Sequence, residues 1–243
     1  MTTVLKLGGS LITDKERAET LDGAALDAAA DAIAAADDDL ALVHGAGSFG
    51  HHYAEKHGVS VAEGTTDAGA ALEIHGSMTT LNRFVLSRLH DRDVPALPVH
   101  PLSAGARDAD AALDMPIPAV RTMLGEGFVP VSHGDVIAHE GHGTTIISGD
   151  EVVVRFAESL AADRVGLCST VDGVYDADGD VIDRIDDFDD VADALGGSDA
   201  TDVTGGMAGK VRELLALDAP AWIFGLDGLE EFLAGGSPGT RIG

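Results

Sequence analysis

Short apolar runs rich in β-branched residues alternate with segments of helical periodicity along the whole chain, and no other feature restricts the fold as much. Val4–Leu7, Leu40–His44, Ala96–Val99, Phe128–Ser132, Val165–Cys168 and Ala221–Phe224 read as strands. Between them, Leu21–Ala36, Asp67–His90, Asp150–Ala162 and Met207–Leu217 carry apolar residues at helical spacing, as at Ile74, Met78, Leu81 and Val85. Strands that alternate with helices pair in parallel and are covered on both faces, so the expected fold is α/β, an open αβα sandwich around a mainly parallel sheet. A hairpin is expected within Val136–Ile147, turning at Glu140-Gly-His-Gly143. No linker, repeat or low-complexity tract interrupts the pattern, so residues 1–243 read as one domain with an N-terminal and a C-terminal lobe.

Charge narrows the partners. With 15 basic and 42 acidic residues the formal charge is −27. A surface this negative repels nucleic acid and anionic membranes, which leaves small molecules as the natural ligands. Acid-rich, lysine-poor composition resembles that of proteins from salt-loving organisms. Only Lys6, Lys15, Lys56 and Lys210 are lysines, and where lysines are this scarce the survivors are candidates for tasks that need a point cation. Cys168 is the single cysteine, so no internal disulfide forms and a reducing cytoplasm is the expected compartment. No run reaches the length of a membrane span, and the first residues do not form a leader.

Glycine-rich turns carry the functional signal. Lys6-Leu-Gly8-Gly9-Ser10 comes straight off the first strand, where glycines admit an anion close to backbone N–H groups, Lys6 brings charge and Ser10 a hydroxyl. Lys15 follows near enough to fold over the same ligand. Gly45-Ala46-Gly47-Ser-Phe-Gly50 satisfies the dinucleotide fingerprint but sits on the second strand and runs into His51-His52-Tyr53. Gly205-Gly206-Met-Ala-Gly209-Lys210-Val211 falls short of a P-loop at Thr204 and Val211. Ser148-Gly149-Asp150-Glu151 opens a helix with acids suited to capping. Asp176-Ala-Asp178-Gly179-Asp180 imitates a calcium loop but has its glycine too early, and reads as a turn. Histidines at 44, 51, 52 and 57 match no zinc spacing, so no directly held metal is expected.

In order along the chain, Lys6-Leu-Gly-Gly-Ser-Leu-Ile-Thr-Asp-Lys15, His44-Gly-Ala-Gly-Ser-Phe-Gly-His51, Pro130-Val-Ser-His-Gly-Asp135, Ser148-Gly-Asp150, Val171-Asp-Gly-Val-Tyr175 and Asp202-Val-Thr-Gly-Gly206 with Lys210 resemble the amino acid kinase superfamily. The stretches ending at Lys15 and His51 are most similar to its isopentenyl phosphate kinase branch. The resemblance implies a homodimeric phosphotransferase that moves the γ-phosphoryl of ATP onto isopentenyl phosphate, with Mg2+ arriving on the nucleotide. It implies that Lys6, Gly8, Gly9 and Ser10 hold the ATP phosphates, with Gly47 on the nucleotide side. Lys15 would stabilise the charge in flight, and Lys6, Lys15 and His51 would be the catalytic residues. Ala46, His51 and Gly149 would contact the substrate phosphate, and Thr170, Tyr175, Gly206 and Lys210 would line the nucleotide site. Two departures stand out: Ala46 where the family has a third glycine, and Thr170 where it has an acid. A sister kinase with another carboxylate or phosphonate acceptor, or a nucleotide-binding module without catalysis, fits the same motifs less closely.

Overall fold

Alternate residues of the apolar runs face opposite sides of one sheet, and each side meets its own layer of helices. A computed structural model of the protein describes residues 1–36, 39–195 and 206–243. Among these the first half of the chain runs β1 (Thr2–Leu7), α1 (Gly9–Ile12), α2 (Gly23–Ala34), β2 (Asp39–His44), α3 (Gly47–His57), α4 (Ala68–His90), β3 (Ala96–Pro98), α5 (Pro101–Ala104), β4 (Ala106–Arg107), β5 (Leu113–Asp114) and α6 (Pro118–Gly125). The second half runs β6 (Val129–His133), β7 (Asp135–His139), β8 (Gly143–Ile147), α7 (Gly149–Leu160), β9 (Arg164–Ser169), β10 (Arg184–Ile185), α8 (Ala192–Leu195), α9 (Gly206–Leu215), β11 (Ala221–Gly225), α10 (Leu229–Leu233) and β12 (Thr240–Ile242).

Eight strands form the main sheet in the order β10, β12, β11, β9, β1, β2, β6, β3. From β11 across to β3 every pairing is parallel, and only β12 opposes its neighbour β11. On one face Val4, Ala41, Val43 and Val165 pack with Val152 and Phe156 of α7 and Val211 of α9. On the other, Leu5, Leu42 and Cys168 pack with Leu26 of α2, Leu81 of α4 and Phe232 of α10. Each fully buried Leu, Val or Phe contributes about 1.5–3 kcal/mol of hydrophobic stabilisation, so both faces are needed. Burial pushes the Cys168 thiol up to about 12, which leaves it an apolar core residue at neutral pH.

A second sheet, in the order β5, β4, β7, β8, contains the expected hairpin: β7 and β8 pair antiparallel from Asp135–Ile147 to His139–Gly143. Helix ends follow the sequence signals. Asp22 accepts the Ala25 N–H and starts α2, Asp67 accepts from Gly69 and Ala70 and starts α4, and Ser148 with Glu151 forms a reciprocal capping box on α7. Asp176 accepts the N–H groups of Asp178 and Asp180, which makes that acidic segment a turn. The stretch that runs from Gly47 into His51-His52-Tyr53, which showed no clean apolar helical pattern, forms helix α3 (Gly47–His57). Its buried face is built from Gly47, Ser48, Phe49 and Gly50, and a side chain at Gly50 would strike Met78 Sδ at 2.6 Å. Small residues let α3 lie against α4 without the apolar stripe that marks an ordinary amphipathic helix. Among the described residues no helix is long and apolar enough to cross a membrane.

Candidate active site

The parallel strands β9, β1, β2 and β6 present their C-terminal ends along one edge, and the chain turns into α1 after β1 and into α3 after β2. Strand order reverses between β1 and β9, the place where open α/β sheets bind ligands. Gly8 spans that point by donating its N–H to Cys168 O at 2.8 Å. The first two glycine turns then interlock. A Cβ at Gly9 would overlap the backbone of Gly47, and one at Gly45 would lie 2.5 Å from Gly9 N. Gly47 has φ +50, and a side chain there would also strike Thr13. Thr13 stitches the turns together, its Oγ1 donating to Gly9 O (2.8 Å) and accepting the Ser48 N–H (3.0 Å).

The turn before α7 completes the cradle. A Cβ at Gly149 would sit 3.3 Å from both His44 O and the Lys6 side chain, and one at Gly134 would sit 3.2 Å from Gly149 N. The N-termini of α3 and α7 meet here beside the short α1, so N–H groups without intrahelical acceptors converge on one spot. Lys6 Nζ lies in the same spot, nine-tenths buried, donating to Asp150 Oδ1 at 2.6 Å. One carboxylate against a buried ammonium fixes the position of the cation while leaving its other protons for a ligand.

Lys6, Gly8, Gly9, Ser10, Ala46, Gly47 and Gly149 are therefore brought together. Lys15 lies on a loop whose ends are joined by pairing of Thr13 with Leu21 and by Asp14 N–H donating to Thr20 O (2.9 Å). Glu19 N–H donates to Ser48 O at 3.3 Å, which pins the loop to the start of α3 and leaves Lys15 exposed beside the cradle. His51 is exposed on α3, one turn beyond Gly47. On the other side of the switch point Thr170 is exposed just past β9, and the Tyr175 hydroxyl accepts the Asp172 N–H at 3.3 Å. Gly206 (φ +61) opens α9, which carries Lys210. The Asp202–Gly205 part of the motif lies outside the described residues. Of two acids in the site, Asp150 was read from sequence as a helix cap and a motif residue rather than as a partner of Lys6, and Glu213 was not singled out. Asp150 holds Lys6, and Glu213 on α9 lies in the fields of Asp150, Glu151, Lys6 and Lys210. Glu213 is exposed on its helix, yet loss of water first and the neighbouring acids second raise its carboxyl, with the two lysines opposing. This links Lys210 to the Lys6 side of the site.

A buried cation among convergent N–H groups, at the switch point of a parallel sheet, defines a site for phosphate groups. The sequence profile of the Amino acid kinase family matches residues 1–217, and the chain belongs to that family. It is 63% identical to an isopentenyl phosphate kinase of Haloferax volcanii, over 98% of this chain and 97% of the relative. It is 37% identical to an isopentenyl phosphate kinase of Methanothermobacter thermautotrophicus, over 88% and 86%. A solved isopentenyl phosphate kinase structure superposes with a TM-score of 0.85 at 30% identity, covering all of both chains.

Proposed function

We propose that this phosphotransferase moves the γ-phosphoryl group of ATP onto isopentenyl phosphate, giving isopentenyl diphosphate and ADP. The observation that carries the reading is the cradle of Lys6, Gly8, Gly9, Ala46, Gly47 and Gly149, with Lys6 held by Asp150. Phosphoryl transfer spreads charge over the moving group, so positioning and electrostatics do most of the catalysis. Lys6 and the N–H groups of Gly9 and Ser10 hold the donor phosphates. Lys15 swings from its exposed loop over the group in flight. The acceptor oxygen belongs to a phosphate monoester whose second pKa is about 6, so it is already ionised and needs no general base. Ala46 N–H, Gly149 N–H and His51 orient that phosphate, and Thr170, Tyr175, Gly206 and Lys210 line the nucleotide side. The lobes divide accordingly: the N-terminal one binds the acceptor and the C-terminal one binds ATP.

Magnesium belongs to this reading as the ion that arrives with ATP. Mg2+ is a hard cation that keeps several waters and is held largely by substrate phosphates. When bound it neutralises charge on the phosphates. A homodimer, supported by the family resemblance, and a cytoplasmic location, supported by the single buried cysteine, complete the proposal. The test is ADP release with isopentenyl phosphate, acetylglutamate or no acceptor. Turnover confined to isopentenyl phosphate is expected, with His51→Ala raising KM for the acceptor and leaving that for ATP nearly unchanged. Turnover with acetylglutamate that ignores His51→Ala would move the chain to a sister activity.

A further inference from the structure

Two histidines close neighbouring parallel strands at the edge of the site. His44 ends β2 and His133 ends β6; they are register partners, both fully buried, with rings stacked at 5.3 Å. A glycine follows each, and each Nδ1 lies against that glycine's carbonyl oxygen, 3.1 Å at Gly45 and 2.8 Å at Gly134. A carbonyl only accepts, so both Nδ1 atoms carry protons. At His133 the bonding is then complete, because Nε2 offers its lone pair to the Nδ1–H of His100 at 2.9 Å.

At His44 the same logic meets a conflict. Nε2 faces Asn82 Oδ1 at 3.2 Å, while the buried Asn82 Nδ2 has no partner. Two oxygens against one ring require an imidazolium. Burial first, and the neighbouring His100, hold the ring neutral by lowering its pKa to about 4, against the hydrogen bonds to Gly45 and Asn82. Turning the Asn82 amide end for end resolves the conflict, since Nδ2–H then donates to the Nε2 lone pair. The Gly45 carbonyl thereby selects the Nδ1–H tautomer, and Asn82 on α4 completes it by donating to Nε2.

The consequence falls on the next peptide. Gly45 C=O and Ala46 N–H belong to one planar trans unit and point in opposite directions. Drawing Gly45 O onto His44 turns Ala46 N–H the other way, and as N-cap of α3 that group has no intrahelical acceptor. We propose that His44, held as the Nδ1–H tautomer by Gly45 O with Asn82 filling Nε2, is a positioning residue that aims the Ala46 N–H at the acceptor phosphate. This rests on the role given to Ala46 above.

Long-range proton–nitrogen NMR on the unaltered protein reads the tautomer without any variant. A proton on Nδ1 of His44 is expected, and one on Nε2 or on both nitrogens overturns the lock. In kinetics, His44→Asn keeps an amide N–H where Nδ1 stood, whereas His44→Gln places its amide at Nε2 and abandons Gly45 O. His44→Gln is expected to raise KM for isopentenyl phosphate about tenfold, about 1.4 kcal/mol or one hydrogen bond. KM for ATP and kcat should change less than about twofold, and His44→Asn should stay close to the parent. Equal effects of the two variants contradict positioning. Ala46→Pro, suited to the φ of −75 there, deletes the N–H itself and is expected to match His44→Gln. If Ala46→Pro leaves KM unchanged the Ala46 contact is wrong, and the NMR result separates that failure from a failure of the tautomer lock.

Discussion

Lys6 and Asp150 show how a charge is made usable at the scale of a residue: the ammonium is nearly buried, and a single carboxylate keeps it there. Asp150→Asn should leave Lys6 with a weaker partner and lower kcat by one to two orders of magnitude, a range of about 1.4–2.7 kcal/mol, as steady-state assays would show. Lys15→Ala should abolish turnover while ATP binding, measured by calorimetry, stays mostly intact; loss of both together would give Lys15 a binding role. His44 supplies a pH dependence. Its ring is neutral in the fold because burial lowers its pKa from 6.5 to about 4, so below 6.5 the unfolded chain takes up a proton that the folded chain refuses. Stability attributable to it is complete above pH 6.5 and falls away toward pH 4, by about 3 kcal/mol at most. Urea unfolding of His44→Asn should therefore decline less steeply over that range than the parent; equal slopes would refute the assignment. Lys6, Gly8 and Gly9 were legible in the sequence because close backbone approach requires glycine and anion binding requires a cation, while Gly47 came in only through the family resemblance. The pairing of Asp150, read only as a cap and a motif residue, and the place of Glu213 were not legible, since in a chain with 42 acids nothing local marks the one that folds back onto a lysine 144 residues away.

At the scale of elements, the fit between turns makes a sharp contrast among glycines. Gly47→Ala meets Thr13 and Gly9 and forces a left-handed backbone, so a loss of about 1–3 kcal/mol and of activity is expected. Gly23→Ala, with open space around it at the start of α2, should instead stabilise by about 0.4–1 kcal/mol; thermal unfolding checks both. The small sheet is tied to α7 by Arg107, whose guanidinium lies 2.5 Å from Glu151 Oε1 and is almost wholly buried. Glu151 is a quarter exposed and keeps its bond to the Ser148 N–H, so Arg107→Ala should lower stability by about 1–2 kcal/mol in a urea titration, through lost packing and one charged hydrogen bond. The main strands, α2, α4, α7 and α9 were legible from their periodicity, and α7 also from its capping acids. Helix α3 was hidden because Phe49 is the one large apolar residue on a buried face otherwise made of Gly47, Ser48 and Gly50, and β4 and β5 were hidden because two residues carry no period.

For the whole molecule, a charge of −27 on 243 residues means self-repulsion that only counter-ions relieve. Melting temperature and activity should both rise as potassium chloride approaches molar concentration, and full stability in dilute buffer would contradict this. Composition made that surface legible, and the alternation of strands with helices made the parallel sheet legible, whereas the switch point between β1 and β9 came only with the strand order. Which residues meet across the sheet depends on packing that no local pattern encodes. All of it converges on one claim, that the strand-end cradle transfers phosphoryl to a prenyl phosphate. Phosphorus NMR of the protein in molar potassium chloride with Mg-ATP and isopentenyl phosphate tests that claim directly: the account predicts a new diphosphate signal growing as ATP is consumed and absent with Lys6→Ala, whereas no diphosphate, or one that persists without Lys6, would contradict it.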